Sequence, residues 1–499
     1  MMPRSANLTL SKSRYLSGLQ CPKRLWTETH ARHLLPPVEL ATQARFDEGH
    51  EVGRLATELY PGGLTIDPGI LRWDRVVAGT QRALTQRRPL YEAAFRSRGA
   101  ACRVDILVPA PENRWDVLEV KSSTGVKEVH LQDLSLQAEV LAGSGLEVRK
   151  FYVVHIDTSY VRQGELDIEA LFRQEDVTDE VRDRQAAVAV NLLEMLECLG
   201  QESRPEIAVG PHCEEPYSCP LKAECWSFLP EPSVFDLVRG RRRGFELLSG
   251  GTLGLLEIPE SAELDEKQRI QIEAVRSGEP HVDRPAIKRF LQGLEYPLSY
   301  FDIETIAPAV PLYDGSRPYQ QIPFLVSNHR VEHRGDAAAH FAYLYSGEGD
   351  PRPKFLRAAR ESLGNAGSIV AYNASFERRI LQESAAAVSP EWEEWAAALS
   401  GRFVDLLVPF KSFSYHHPDQ KGSASLKAVL APLTGLSYAN LEIADGERAS
   451  REYLRILTAP LDPVEKARTL QQLEDYCSLD TQAMVTIVAR LRELISDPD

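Results

Sequence analysis

Four acidic residues and a tyrosine near the C-terminal end have the types and spacing of a divalent-metal site. In YFDIET, Asp302 and Glu304 lie two residues apart in a predicted strand, so both carboxylates project from the same face. In AYNASFERR, Glu377 opens a predicted helix directly after a short strand. In DYCSLD, Tyr476 and Asp480 are four residues apart and therefore share one face of a predicted helix.

This set of side chains indicates phosphodiester hydrolysis with two metal ions. Two cations held about 4 Å apart can activate a water molecule and stabilise the leaving oxygen. The tyrosine hydroxyl would orient that water. An isolated Asp-x-Glu pair is as easily a solvated strand end, because such pairs arise often by chance. The ordered set of carboxylates is much more specific.

The segments that carry these residues resemble a bacterial family of DnaQ-like domains in the DEDD exonuclease superfamily, in its tyrosine-bearing subclass. The resemblance covers roughly residues 296–495 and rests on YFDIET, PYQQIPFLVSNH, AYNASFERRIL, FVDLL, GSASLKAVL and YCSLDT. It implies an RNase H-like fold and 3'-to-5' exonuclease chemistry with Mg or Mn, and Tyr476 as the water-positioning residue. The implied metal ligands are Asp302, Glu304, Glu377 and Asp480.

The second motif of this family usually ends in Asp, where this chain has Glu377. The extra methylene moves the carboxylate by about a bond length and keeps its charge. Asp405, in FVDLL, is the other acidic candidate, but a carboxylate at that place more often supports the fold. Glu377 is therefore the predicted ligand.

A second group of reactive side chains lies on a predicted hairpin, RVDILVPA and WDVLEVKSS, joined by PENR. Asp105 lies on the first strand, and Glu119 and Lys121 share one face of the second. Two carboxylates can hold a hard cation, and an ammonium can orient or help to deprotonate the attacking water. Gln137, on the following helix, is expected to brace the site. A lone Glu-x-Lys would be taken as an exposed hairpin, but the ordered set favours a site.

This block resembles the PD-(D/E)XK signature of RecB-like nucleases. YEAAF leads into it, and QAEVL stands where the family often has a Gln-x3-Tyr-like element. FDEGHEVGRLA resembles the family's first motif, although its frequent histidine position falls at Gly53, with His50 and Glu51 nearby. The resemblance implies a nuclease fold with Asp105 and Glu119 as metal ligands.

The cysteines have a spacing of their own, C-x5-C-x5-C, with a further cysteine far upstream in LQCPKRLW. This arrangement, over about residues 8–228, resembles the iron-sulfur staple of AddB-type and CRISPR-adaptation nucleases. It implies a structural 4Fe-4S cluster held by Cys21, Cys213, Cys219 and Cys225. Zinc is the alternative, although two to four residues usually separate its ligands. The other cysteines are predicted to be small core residues: Cys102, Cys198 and Cys477.

The coarse pattern predicts an α/β protein in three parts, over residues 1–230, 231–295 and 296–499. The resemblances imply that the first is a RecB-like domain and the last an RNase H-like domain, and the middle part is predicted to be a helical connector. The first part has a strand at 149–156 and one long helix at 179–199, and the connector has a basic turn between two helices. The last part has strands at 298–304, 323–331, 340–345 and 368–372 and a final helix at 462–495.

Composition limits the class of protein. The 499 residues have a formal net charge of −15, which argues against a generally basic nucleic-acid binder but allows a local basic groove. Seven cysteines, an odd number, disfavour a disulfide framework. The sequence has neither a signal-peptide pattern nor an apolar run long enough to span a bilayer, so we expect a cytosolic protein without membrane partners.

Together these patterns predict a metal-dependent nuclease that acts on DNA or RNA. The alternative is a nucleic-acid-binding platform in which one or both nuclease folds are inactive and the cluster is structural or redox-sensing. Metal-dependent turnover distinguishes the two.

Overall fold

The computed structural model describes residues 9–66, 72–439 and 441–496. Contacts divide the chain into two compact units. The first comprises Met1–Phe228 and Ala309–Tyr319, and the second comprises Leu229–Pro308 and Gln320–Asp499. Residues 231–295, predicted as a connector, belong to the second unit. Both units combine helices with sheets, which confirms the predicted α/β class.

The first unit is built around a mixed sheet. Its strands are β1 (Leu10–Ser11), β2 (Leu64–Thr65), β3 (Leu90–Ser97), β4 (Ala100–Pro109), β5 (Trp115–Lys121), β6 (Val148–Ile156) and β7 (Phe172–Asp176). Its helices are α1 (Lys12–Gln20), α2 (Pro22–His30), α3 (Leu40–Ala56), α4 (Trp73–Leu84), α5 (Glu128–Gly143), α6 (Ile168–Leu171), α7 (Thr178–Asp183), α8 (Gln185–Gly200) and α9 (Lys222–Cys225). In the described part the strand order is β2-β3-β4-β5-β6-β7, and β1 pairs with β4.

The helix α5 joins this sheet to the helices that cover it. Apolar side chains such as Leu134 and Val140 pack on the sheet residues Leu107, Val117 and Val153, all of them fully buried. Removing this apolar surface from water is the main force that holds the layers together, at roughly 25 cal/mol per Å². The polar side chains of α5 that reach the sheet are consequently held in a dry environment.

The second unit has its own mixed sheet. Its strands are β8 (His281–Val282), β9 (Leu298–Ile306), β10 (Ile322–Val331), β11 (Ala339–Leu344), β12 (Ile369–Ala371), β13 (Phe403–Asp405) and β14 (Tyr415–His416). Its helices are α10 (Arg241–Ser249), α11 (Glu266–Ser277), α12 (Arg284–Gln292), α13 (Arg352–Leu363), α14 (Ser375–Val388), α15 (Pro390–Leu399), α16 (Val408–Lys411), α17 (Leu426–Thr434), α18 (Gly446–Thr458) and α19 (Pro463–Ile495).

Five strands of the second unit form a sheet in the order β11-β10-β9-β12-β13. The pairs β11-β10 and β10-β9 are antiparallel, whereas β9-β12 and β12-β13 are parallel. The central strand β9 is almost entirely buried, and α19 packs against both β9 and β10. The Asp462 side chain caps the start of α19 by accepting from Val464 N at 2.9 Å, with Pro463 at the first helical position.

Most predicted elements are present, with two differences. The hairpin β4-β5 and the final helix are confirmed. The prediction of a single helix at 179–199 is wrong, because α7 ends at Asp183 and α8 begins at Gln185. The basic turn of the connector is also different, since the arginine run from Arg241 forms the first turn of α10. Among the described helices, none has the length and apolar character needed to cross a bilayer.

Candidate functional site

The second unit brings two of its predicted carboxylates together on the central strand. Asp302 and Glu304 lie on β9, opposite Ser327 and Leu325 of β10, and the alternation of a strand places them on one face. Oxygen atoms of both carboxylates and the Cys477 sulfur all lie within 4.8 Å of one another. The Cys477 thiol donates to Asp302 Oδ2 at 3.3 Å. Its prediction as a simple core residue was incomplete, because the buried thiol contacts the acidic cluster.

The helix α19 contributes the tyrosine and the last carboxylate. Tyr476 and Asp480 are four residues apart, and burial together with the charge of Asp480 raises the pKa of Tyr476. Asp480 Oδ1 accepts from the hydroxyl of Tyr438, a residue that the sequence analysis did not identify. The two tyrosine rings lie 6.2 Å apart, centroid to centroid. Tyr438 lies in the loop before α18 and belongs to none of the matched motifs. Its aromatic type was therefore the only signal that could have indicated it.

Glu377 lies in the first turn of α14 and is buried. Among the described residues, its Oε2 atom has no hydrogen-bond partner. Asp405 has a different role, since its Oδ1 accepts from Asn373 N and Leu407 N at 2.9 Å each. Asp405 therefore holds the backbone beside the site, whereas Glu377 brings an unsatisfied carboxylate oxygen.

The electrostatics of this cluster favour the binding of cations. Burial raises the pKa of Asp302 to about 6, and burial together with the Asp302 charge raises the pKa of Asp480 to about 8. Burial and the other three carboxylates raise the pKa of Glu304, and burial and Asp302 raise that of Glu377. Lys427 opposes these shifts at Glu304 and Asp480. Burial and mutual repulsion thus resist the ionisation of all four carboxyls, and Lys427 relieves this at only two of them, so the oxygen donor set fits divalent cations that would displace the protons.

Lys427 also closes one side of the cluster. Its ammonium lies 5.5 Å from the ring centroid of Tyr438 and 5.9 Å from that of Tyr476, which is within cation–π range. Lys427 belongs to α17, in the segment GSASLKAVL that the sequence analysis had matched without assigning a role to this residue. The Lys427 ammonium is thus held against both tyrosines of the site.

The first unit also brings its predicted residues together. Asp105 on β4 accepts from Val120 N at 2.8 Å, so one of its oxygens is tied to β5. Lys121 donates to Glu119 Oε1 at 2.6 Å, and Gln137 of α5 donates to Glu119 Oε2 at 2.6 Å. The bracing role predicted for Gln137 matches this contact. Glu119 itself is almost fully buried.

Two further charged residues belong to this cluster and were not predicted. Asp133 of α5 pairs with Lys121 at 2.9 Å and accepts from Gln137 at 3.2 Å. It lies one helical turn before Gln137, so the helical period could have indicated it. Lys12, at the start of α1, donates to both oxygens of Glu119 at 2.8 and 2.9 Å. Nothing in the sequence pattern linked Lys12 to residues about a hundred positions away.

The charges of the first unit's cluster shift one another in opposite directions. Burial and the Glu119 charge raise the pKa of Asp105 to about 7. Burial would raise the pKa of Glu119 as well, but Lys12 and Lys121 outweigh it and lower that pKa. Burial lowers the pKa of Lys12, but the three carboxylates outweigh it and raise the pKa. The lysines therefore carry their charge inside the cluster.

The four predicted cluster cysteines line one cavity of the first unit, together with Lys23 and His212. Cys21 lies between α1 and α2, and burial raises its pKa, with smaller contributions from Cys213 and Cys225. Cys219 N donates to Cys213 O at 2.8 Å, and Gln20 ties the loop by donating to His212 O and Tyr217 O at 2.7 Å each. Four thiols converging from both ends of the domain form a donor set that fits a metal cluster.

Comparisons with known proteins give a partial match. A family model described as "Domain of unknown function (DUF2779)" matches residues 299–425, which include Asp302, Glu304 and Glu377. "Uncharacterized protein MG366" of Mycoplasma genitalium is 24% identical over 218 residues, 40% of this chain and 32% of the relative. Its homolog in Mycoplasma pneumoniae is 26% identical over 228 residues, 42% of this chain and 34% of the relative.

The chain thus spans about a third of the length of these curated relatives. Among solved structures, the crystal structure of SSO0001 matches 45% of this chain and 88% of its own, at 16% identity and a TM-score of 0.21. The segment matched by the family model carries three of the four carboxylates of the second unit's cluster.

Proposed function

We propose that the second unit is a metal-dependent nuclease of the DEDD exonuclease type, which hydrolyses phosphodiester bonds of DNA or RNA from 3' ends. The observation that carries this proposal is the cluster of four carboxylates, with the Tyr438 hydroxyl hydrogen-bonded to Asp480 and with Tyr476 one helical turn before Asp480. Such a cluster is costly to keep buried unless cations neutralise it. A structural role alone would not require four carboxylates at one place.

The strand order of the second unit supports an RNase H-like fold. Three antiparallel strands followed by two parallel ones place β9 at the centre, where Asp302 and Glu304 can meet side chains from α14 and α19. The residues that match the DEDD motifs come from separate segments, at residues 302–304, 377 and 476–480. Because these separate segments bring their residues to one place in the fold, they support the resemblance that was inferred from the order of the motifs.

The residues of the chain divide the catalytic work among them. The carboxylates would hold Mg or Mn, which supplies Lewis-acid stabilisation and a water of lowered pKa. Tyr476, one helical turn before Asp480 on α19, would hold the attacking water in line with the scissile phosphate. Lys427, which lies over the two tyrosine rings, would attract the phosphate of the substrate into an otherwise acidic site.

For the first unit we propose a RecB-like PD-(D/E)XK fold with a structural 4Fe-4S cluster. The four cysteines that line one cavity support the cluster, because thiolates from distant parts of a chain can close a domain around such a centre. The convergence of Asp105, Glu119, Lys121 and Gln137 supports the fold. Hydrolysis at this site would require a divalent cation between Asp105 and Glu119.

The experiment that tests the proposed function is a time course on substrates labelled at the 5' end, as single- and double-stranded DNA and RNA, with Mn. A ladder that shortens from the 3' end is expected, and it identifies the preferred nucleic acid. Glu304→Gln should abolish the ladder, whereas the matched control Glu332→Gln, on the exposed surface of the same unit, should not. If wild-type protein leaves every substrate intact with Mn, and also when Mg replaces Mn, the result would favour the binding platform.

A further inference from the structure

Lys12 lies at the place where a cation would bridge the predicted ligands of the first unit. Its Nζ is 2.8 and 2.9 Å from the two oxygens of Glu119, and 3.9 Å from Asp105 Oδ1. It is also 3.6 Å from Asp133 Oδ1. Contacts of 2.8 Å are charge-assisted hydrogen bonds, and they use the lone pairs that would coordinate Mg at about 2.0–2.1 Å. A divalent cation could bind Glu119 only by displacing this ammonium.

The backbone holds Lys12 in this position. β1 pairs with β4 through Leu10 opposite Ala100 and Ser11 opposite Ala101, and Lys12 follows directly as the first residue of α1. The same strand β4 carries Asp105. The Lys12 ammonium also donates to Arg103 O at 3.3 Å, a second tie to that strand. The pairing of β1 with β4 thus fixes the position of Lys12 relative to Asp105.

The balance between lysines and carboxylates also differs between the two sites. In the first unit, Lys12 and Lys121 both pair with Glu119 and Asp133. Two ammonium groups therefore face three carboxylates, counting Asp105. In the second unit, Lys427 opposes the raised pKa of two of the four carboxyls, Glu304 and Asp480, as far as the described residues show. Lysines therefore already balance most of the carboxylate charge of the first unit's cluster, whereas in the second unit a cation that displaced the protons would meet little competing charge.

We infer that Lys12 substitutes for the divalent cation in the first unit, so that this site takes no Mg or Mn and does not hydrolyse phosphodiesters. The RecB-like ligands Asp105 and Glu119 then serve as partners of two lysines and stabilise the fold. The inference rests on the geometry of the first unit, and it stands whether or not the second unit cuts nucleic acid.

Equilibrium dialysis of the full chain against Mn, with the bound metal quantified, tests this. Asp302→Asn with Glu304→Gln provides a background in which the second unit's site is disabled. In this background, bound Mn is compared with and without the further change Glu119→Gln. While Lys12 is present, we expect Glu119→Gln to remove no Mn. After Lys12→Ala, we expect it to remove about one Mn per chain. Lys150→Ala, which breaks a surface pair with Asp176, is the matched control and should expose no such Mn.

Two results would overturn the inference. One is a Glu119-dependent Mn in the background that retains Lys12. The other is the absence of that Mn in folded Lys12→Ala protein, verified by its circular dichroism and thermal unfolding. If Lys12→Ala unfolds the first unit, the background that retains Lys12 still decides the matter. Because the readout is bound metal and not turnover, it is independent of whether the second unit is a nuclease.

Discussion

The Cys477 thiol and the Asp302 carboxylate are hydrogen-bonded at 3.3 Å inside the acidic cluster of the second unit. Burial and the nearby carboxylates raise the pKa of this thiol, so it stays protonated without metal. A bound thiophilic cation would change that balance, because thiolates prefer softer metals than Mg. The pair therefore places a soft sulfur donor among hard oxygen donors.

Cadmium should consequently inhibit the proposed nuclease activity of the wild-type protein more strongly than that of a variant without the thiol. We expect Cys477→Ala to raise the cadmium concentration for half-inhibition about 10-fold or more, while the rate with Mg changes little. Inhibition curves of the two proteins at fixed Mg give the comparison. Equal sensitivity to cadmium would show that the sulfur does not reach the bound metal.

Tyr476→Phe should lower the rate without weakening metal binding. The change removes the hydroxyl that would orient water, but it leaves all four carboxylates in place. A loss of about 10- to 100-fold in kcat is expected, in the range of a positioned proton-handling group. The apparent Mn affinity in the same assays should stay within about 3-fold. A large change in that affinity would instead make the tyrosine a support for the metal ligands.

Stability without metal should depend on pH in a direction set by the raised pKa values of the acidic cluster. The pKa of Asp302 is raised to about 6 and that of Asp480 to about 8. A carboxyl whose pKa is raised on folding stabilises the fold below its unfolded pKa, near 4, and that contribution is lost as pH rises through the folded value. The metal-free second unit should therefore lose stability between about pH 4 and 8.

Thermal unfolding in chelator across this pH range is the measurement, with Asp302→Asn as the comparison. The variant should show a flatter profile, because it has one fewer carboxyl to ionise. Adding Mn at pH 8 should stabilise wild type more than the variant. The assignment would be contradicted if, without metal, the unfolding temperature of the second unit rose from pH 4 to 8 in wild type relative to the variant.

Protein purified without oxygen should be brown, because iron-sulfur centres absorb near about 400 nm and zinc does not. Iron and sulfide analysis should accompany the spectrum. Cys219→Ser should bleach this absorbance and destabilise the first unit, while the transition of the second unit changes little. A colourless protein that contains one stoichiometric zinc would contradict the cluster and support the zinc alternative.

Local patterns account for the parts of both sites that could be predicted from sequence. Asp302 with Glu304, and Glu119 with Lys121, were placed by the alternation of a strand, and Tyr476 with Asp480 by the turn of a helix. The hairpin β4-β5 followed from its turn and its apolar strands. These relationships depend only on residues close together in the chain.

The contacts that could not be predicted join distant segments. Lys12 meets Glu119 across 107 positions, and Tyr438 meets Asp480 across 42, so no periodicity connects them. The break at Arg184 between α7 and α8 was missed because the apolar spacing continues across it. Such features depend on tertiary packing, which overrides the local pattern.

The release of mononucleotides from 3' ends by folded Asp302→Asn protein is the most direct test of the nuclease site. The substitution keeps the size of the side chain and removes the charge of a ligand at the centre of the cluster. We measure release by the full chain with Mn, and confirm folding by circular dichroism, with Glu332→Gln as the control. The account predicts that release by Asp302→Asn falls by about three orders of magnitude or more, while the control keeps the wild-type rate. Release at the wild-type rate by the folded Asp302→Asn variant would contradict it.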